Sequence, residues 1–231
     1  MYYKHLTLLL IFLILPQTYS QSLTGMTGLY SIPIADIYDD GMISTGANFI
    51  NKKYIEYAKG EKDILNVFVS INYLPFIELG FRVTRQLKYE GKSHTVDRMF
   101  NLKVRVIEEN KYLPNIAIGF NNPYSTELSA NHFNSTFIVL TKNISLNEAI
   151  NNIGITIGYG SNIIKAADYQ FIGLFGGVSF TVLKYFELLL ENDAERFNGA
   201  VRLTLFKHIK VMAGLMNFKD FSGGLSFSVV L

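Results

Sequence analysis

Apolar residues alternate with polar or small ones along most of this chain. From Ile77 to Thr84, Ile77, Leu79, Phe81 and Val83 fall on one side, with Glu78, Gly80, Arg82 and Thr84 on the other. Phe100, Leu102, Val104 and Val106 oppose Asn101, Lys103 and Arg105, and Ile153, Ile155, Ile157 and Tyr159 oppose Gly154, Thr156, Gly158 and Gly160. An extended chain turns successive side chains to opposite faces, so each run predicts a strand with one apolar and one polar face. The alternation predicts twelve strands, near 42–50, 64–73, 76–87, 98–108, 114–121, 132–142, 151–160, 169–182, 185–192, 196–206, 208–217 and 222–231. Many approach the roughly nine to eleven residues of a tilted membrane strand, not the five or six of an average soluble one. Helical periodicity competes only in the first 20 residues and around Leu146 to Ile150.

The connections alternate in length. Short turns at Leu74-Pro75, Lys111 to Leu113, Leu183-Lys184 and Phe206-Lys207 are interleaved with longer polar segments at 51–63, 88–97, 122–131 and 161–168. Short turns on one rim and long loops on the other describe an outer-membrane barrel. Tyr73, Phe76, Tyr112, Tyr185, Phe186 and Phe206 sit by the short turns, and Tyr54, Tyr57, Tyr89, Tyr124, Tyr159, Tyr169, Phe197 and Phe218 toward the long loops, like two interfacial girdles. Lipid offers no hydrogen-bond partners to an open sheet edge, so such a sheet must close. The expected fold is all-β, a transmembrane antiparallel up-and-down β-barrel of about 12 strands of the outer-membrane type.

The ends of the chain add a leader. Lys4, an apolar block from Leu6 to Leu15, then Pro16 and a polar stretch to Ser20 follow the plan of a cleaved secretory signal peptide. The domain plan is therefore a signal peptide over 1–20, an N-terminal segment over 21–41 and an outer-membrane barrel over 42–231. The segment 21–41 reads as a periplasmic arm, an inward plug or a flexible lead-in. Composition narrows the class further. The 231 residues hold no Cys and no Trp, 49% are hydrophobic and 17% charged. That excludes a disordered, disulfide-stapled or Cys-ligated chain and a lipid-anchored lipoprotein. A net charge of +2 from 21 basic and 19 acidic residues supplies no single-sign field, so nucleic acid is not an expected partner, whereas outer-membrane lipid is.

Alternation turns Glu78, Arg82, Lys103, Arg105, Glu187, Glu191, Arg202 and Lys210 inward, as lumen-facing charged candidates. Both signs occur, so these charges either pair across the lumen or line a narrow polar passage. Catalytic signatures are thin. His94, His132 and His208 are isolated, with no zinc-protease or nucleophile-elbow motif around them, and His132 near Ser129 and Ser135 lacks an orienting acid. Glu187 and Glu191 share a strand face but stand about 13 Å apart along it, beyond the roughly 5 to 9.5 Å of a glycosidase pair. The mid-strand glycines form no phosphate loop ahead of a helix. No enzyme activity, cofactor or metal site is expected.

Particular words then add to the pattern. Thr27-Gly28-Leu29, Pro33, Ala35 and Asp40-Gly41 resemble the N-terminal signature of YjbH-type proteins. Leu74-Pro75-Phe76-Ile77-Glu78 with Gly80-Phe81-Arg82 resembles that family's second hairpin. Asp97, Lys103-Val104-Arg105, Glu109, Tyr112-Leu113-Pro114 and Ile116 to Gly119 are similar to its central segment, and Glu191-Asn192-Asp193 with Asn198-Gly199 to its later strands. The resemblance implies an outer-membrane protein associated with exopolysaccharide biosynthesis and export, with polysaccharide and other envelope assembly proteins as partners. Family members are commonly longer, so this chain resembles a short, single-barrel version. The resemblance implies no catalytic residues. A passive pore or structural envelope barrel is the alternative, and an outer-membrane lipid hydrolase a third.

Overall fold

Strands form where the alternation places them. The computed structural model describes residues 21–54, 63–87, 96–123, 134–146, 150–166 and 169–231. The expected signal peptide, together with His94 and His132, lies outside the described residues. The strands are β1 (Met42–Ile50), β2 (Ile64–Asn72), β3 (Ile77–Gln86), β4 (Val96–Ile107), β5 (Asn115–Asn121), β6 (Ser135–Ser145), β7 (Ile150–Ser161), β8 (Gly173–Val182), β9 (Phe186–Asn192), β10 (Phe197–Leu205), β11 (Ile209–Met216) and β12 (Asp220–Val230). Each pairs antiparallel with its neighbours in sequence, and β1 pairs with β12 from Met42↔Val230 to Phe49↔Gly223, which closes a barrel of 12 strands. The one helical turn among the described residues is a 3-10 turn at Lys52–Tyr54.

Period-two side-chain placement sorts the two faces. Outside, Val67, Val69, Ile71, Phe81, Ile155, Ile157, Leu203 and Phe227 are exposed, while Asn66, Ser70, Arg82, Thr156, Arg202 and Ser226 from the same strands are buried inside. Among the described residues the apolar flanks thus pack on no second sheet and no helix. Two bulges, between Arg105 and Ile107 and between Ile150 and Asn152, shift the register near the rim where both chain ends of the barrel meet.

Three differences from the sequence expectation have local causes. β8 begins at Gly173 and not near 169, because Phe171 (φ 56°) and Gly173 (φ 104°) are left-handed and break the extended run. The alternation of long and short connections holds over β1 to β8 only. On the long-loop rim, β9–β10 and β11–β12 are joined by 193–196 and 217–219, tight turns with left-handed Ala194, Asn217 and Phe218. Tyr54 does not stand in a girdle. It packs against the core, with Arg196 5.3 Å over its ring.

Twelve strands enclose more space than their own side chains fill. The space is taken by the chain's own Gln21–Tyr38, every residue of which is buried. Leu23, Leu29, Tyr30, Ile32 and Ile34 from this segment join inward-facing Met99, Phe137, Val139, Phe175, Leu189 and Met212 of the wall in one apolar cluster. Glycines on the inner wall make the recesses. A Cβ on Gly177 would stand 2.7 Å from Leu29 Cδ1, one on Gly214 2.8 Å from Tyr30 Cε2, and one on Gly80 would collide with Met26 Sδ.

Candidate functional site: a plug held in charged sockets

The plug folds back on itself in short, local steps. Gln21 bridges to Thr27 and Gly28 to Pro33, Leu23 N donates to Tyr30 O at 2.8 Å, and Leu29 N donates to Ile32 O at 3.0 Å. Gly25 is left-handed (φ 87°), and a Cβ there would lie 2.5 Å from the Phe68 ring, so both conformation and space call for glycine. These contacts leave several peptide groups of the plug without partners in its own backbone. In a buried segment such groups need partners elsewhere, and the barrel wall supplies them.

The first socket is Glu78 and Lys103, on paired strands β3 and β4, 2.8 Å apart with both side chains wholly buried. Thr27 sits on the pair. Its N–H donates to Glu78 Oε1 at 2.8 Å and its hydroxyl to Oε2 at 2.5 Å. Lys103 Nζ donates to Thr27 O at 3.1 Å and to Asp36 O at 3.0 Å. One ion pair therefore clamps two separate points of the plug.

The second socket is Glu191 on β9. Its carboxylate accepts from the N–H groups of Tyr30 (3.0 Å), Ser31 (2.9 Å) and Ile32 (3.4 Å), from the Ser31 hydroxyl, and from Asn198 Nδ2 at 3.2 Å. Successive backbone N–H groups converging in this way make an anion-binding nest. Here the anion belongs to the barrel and the nest to the plug. Burial pushes the Tyr30 hydroxyl well above its usual range, so it stays protonated and donates to Ser222 O at 3.1 Å.

Arg202 on β10 is the third. Its Nη1 donates to Glu187 Oε2 at 2.6 Å, and its Nη2 to the carbonyls of Leu29 at 2.5 Å, Gly28 at 3.1 Å and Gln21 at 3.3 Å. Close by, Lys210 Nζ donates to the Tyr38 hydroxyl at 3.0 Å, and that hydroxyl donates to Gln21 Oε1 at 3.1 Å. Arg82 reaches Thr24 O at 3.4 Å, and Asn48 and Asn66 donate to Leu23 O at 3.0 and 2.6 Å. Toward the short-turn rim, Asp36 accepts from Asn115 Nδ2 and from Asn143 Nδ2 at 3.1 Å, and Ala35 N donates to Thr141 Oγ1 at 2.9 Å. Burial pushes the Asp36 carboxyl up, against the pull of those two carboxamides.

Of the eight charged residues that alternation turns inward, Glu78, Arg82, Lys103, Glu191, Arg202 and Lys210 touch the plug directly. Glu187 acts through Arg202. Arg105 lies apart, at the short-turn rim beside a bulge, where Nη2 donates to Pro75 O at 2.8 Å and pairs with Glu108 at 3.5 Å. The charges line no open passage among the described residues. They serve as hydrogen-bonding partners for a buried backbone.

Glu187 and Glu191 are each engaged as described, and His208, exposed at a turn, has Nδ1 2.8 Å from Ser228 O. No group of three or more His, Cys, Asp or Glu that could hold a metal is found among the described residues. The contact residues that alternation alone did not single out include Thr27, Tyr30, Ser31 and Asp36 of the plug and Asn48, Asn66, Asn115, Thr141, Asn143 and Asn198 of the wall. A signal for them lay in the wall. Met99, Phe137, Val139, Phe175, Leu189 and Met212 are apolar at inward positions, where a water-filled lumen has no use for them.

Residues 20–216 match the sequence model of the YjbH family, described as exopolysaccharide biosynthesis protein YbjH. No curated protein matches the chain. The matched stretch runs from the plug through eleven of the strands, ending at Met216, the last residue of β11.

Proposed function

The chain belongs to the YjbH family, and from that premise we propose that it stands in the bacterial outer membrane as a plugged barrel. There it assists exopolysaccharide biosynthesis and secretion without catalysing a reaction itself. The observation that carries the membrane placement is the outer wall. A closed barrel with exposed Ile, Leu, Val and Phe around it presents a broad apolar surface of the kind that lipid covers. Export through a cleaved signal peptide at residues 1–20 is part of the same proposal.

The filled lumen favours an accessory role over that of a conduit. A polysaccharide chain passing through would have to displace Gln21–Tyr38 from its sockets, and that step strips Glu78, Lys103, Glu191 and Arg202 of their buried hydrogen bonds to the plug. The polysaccharide link itself comes from the family. Deletion of the gene is expected to reduce matrix polysaccharide, measured on secreted carbohydrate, and re-expression to restore it. Unchanged secretion would remove the role and leave an envelope barrel without a polysaccharide link. Membrane placement is tested separately by fractionation, with the chain expected in the outer-membrane fraction and released only by detergent.

A further inference from the structure

Small residues interrupt the apolar outer wall on two adjacent strands. The outward positions of β10 include Phe197, Val201 and Leu203, but also Gly199, and those of β11 include Val211 and Leu215, but also Ala213. A slot of about 540 Å³ opens there. Leu188 and Leu190 of β9 flank it on one side, and Leu215 and Phe221 of β11 and β12 on the other. The Phe221 ring is stacked on Phe49 of β1 at 6.2 Å between centroids, which holds that flank in place. No charged side chain among the described residues lines the slot. Its volume lies within the roughly 300–1,000 Å³ of small-molecule sites.

Phe218 closes the slot at the long-loop rim. In the turn Met216–Lys219, Lys219 N donates to Met216 O at 3.0 Å, and the central residues Asn217 (φ 50°) and Phe218 (φ 52°) are both left-handed. That is a type I′ turn, which suits Asn and Gly and disfavours an aromatic residue. The Phe218 ring nevertheless lies over Gly199, where a Cβ would come within 2.7 Å of it, and the residue stays 55% exposed. Backbone strain kept for a ring that covers the slot and is itself half bare points to a use for its open side.

The other side of the same turn is polar. Asn217 and Asp220 line a recess of about 160 Å³ together with Lys53, Tyr54 and Arg196. Lys53 is paired with Asp220 at 2.9 Å, and Lys219 stands exposed in the turn itself. Arg196 is paired at 3.0 Å with Glu195, whose side chain is 71% exposed, a contact that water already competes for. Asp193, the other carboxylate of the neighbouring turn, accepts from Glu195 N, Arg196 N and Asn198 Nδ2. Arg196 and Lys219 are thus the cations an incoming anion meets most readily.

We propose that slot and recess together bind one molecule of a phosphorylated, acylated glycolipid of the outer leaflet: an acyl chain lies over Gly199 and Ala213 beneath Phe218, and a head-group phosphate is held by Arg196 and Lys219. Two cavities of opposite polarity on either side of one turn call for an amphiphile. A free sugar would leave the slot bare, and an apolar chain alone would leave the cations unused. The slot is continuous with the apolar belt, so its occupant comes from the lipid phase. The inference rests on the membrane placement above, with the long loops outward, and adds to it a ligand class and the residues that take it.

Full-length protein in detergent is titrated with diphosphoryl lipid A, and the bound fraction is read by native mass spectrometry. One lipid A per chain is expected, with dephosphorylated lipid A binding roughly thirtyfold more weakly, from two cations at an anionic head group. Lys219→Gln is expected to cost roughly fivefold toward the phosphorylated lipid and nothing toward the other. Ala213→Leu fills the slot and is expected to abolish binding of both, whereas Ala47→Leu, outward on β1 and outside the slot, leaves both unchanged. Equal affinity for the two lipids, or unaltered binding by a folded Ala213→Leu, overturns the site. So does equal competition by dioleoyl phosphatidylcholine, because any acyl chain would then serve. Should Ala213→Leu not fold, as read by circular dichroism, the comparison of the two lipids on the unaltered chain decides alone. A chain absent from the outer-membrane fraction loses the placement and this ligand with it, whereas a chain present there that binds no lipid A loses the site alone.

Discussion

Lys103 is wholly buried in contact with three residues, Glu78, Thr27 and Asp36. Its ammonium is paired with Glu78 and donates to two plug carbonyls, in a place where neither charge is exposed. Burial of an ion pair gains little over a well-packed apolar pair, but removal of one partner strands the other charge at a cost of about 3–5 kcal/mol. Lys103→Met is therefore expected to destabilise the folded barrel by about that amount in urea unfolding from detergent. Adding Glu78→Gln to it should recover part of the loss, since the orphaned carboxylate is gone. A double variant as unstable as the single one would mean that the plug contacts, not the pairing, carry the energy. Glu191 differs in kind, because N–H groups and a carboxamide satisfy it without a directly paired cation, so Glu191→Gln exchanges an acceptor for a donor facing donors.

At the scale of elements, the barrel and the plug depend on each other in opposite ways. Strands β1 to β12 close by backbone pairing alone, whereas the plug has few backbone bonds of its own and is fixed by side chains of the wall. Loosening the plug should thus open the lumen before it unfolds the sheet. The unaltered protein is expected to give no steady conductance in planar bilayers. Glu191→Ala combined with Arg202→Ala, which empties two sockets, is expected to give flickering or stable currents while keeping the β-sheet signal in circular dichroism. Steady conductance from the unaltered protein would favour the passive-pore interpretation. The same division explains what could be read from the sequence. Outward-facing and inward-facing residues alternate with period two, so β3, β4, β7 and β10 stand out, and Glu78, Arg82, Lys103 and Arg202 fall inward with them. Gln21–Tyr38 is buried on all sides in an irregular path and so carries no period at all. What the inward charges bind could not be read either, because Leu29 O, Thr27 O and the N–H of Ser31 are backbone atoms, present in every residue. Left-handed Phe171 and Phe218 were hidden for a related reason, since their side chains are ordinary strand formers and tertiary contacts set their backbone.

For the whole molecule, the consequential contact is between its ends. β12 returns to β1 over eight residue pairs, and Leu231 N donates to Gly41 O at 3.1 Å, so the free edges of β1 and β12 are satisfied only when the first and last parts of the barrel meet. Closure also determines whether the plug can stay. An open sheet would expose Gln21–Tyr38 to water along one side and release Ser222 and Ser228, wall groups that β12 presents to the plug and to β1. The absence of any cysteine makes the seam directly testable. Thr45 and Phe227 are directly opposed across it, both on the outer face. Thr45→Cys with Phe227→Cys is expected to form a disulfide under mild oxidation, because opposed residues of an antiparallel pair stand about 4.5–5.5 Å apart between Cα atoms, inside the range a disulfide spans. The unlinked barrel should migrate faster in gel electrophoresis when unheated than when boiled, and the cross-linked variant should stay a circular covalent chain on boiling, with altered mobility that reductant reverses. The control pair Thr45→Cys with Leu203→Cys, on strands that are not neighbours, should remain unlinked. Linkage in the control, or none at the seam, would mean that β1 and β12 do not meet in the register that closes the wall around the plug.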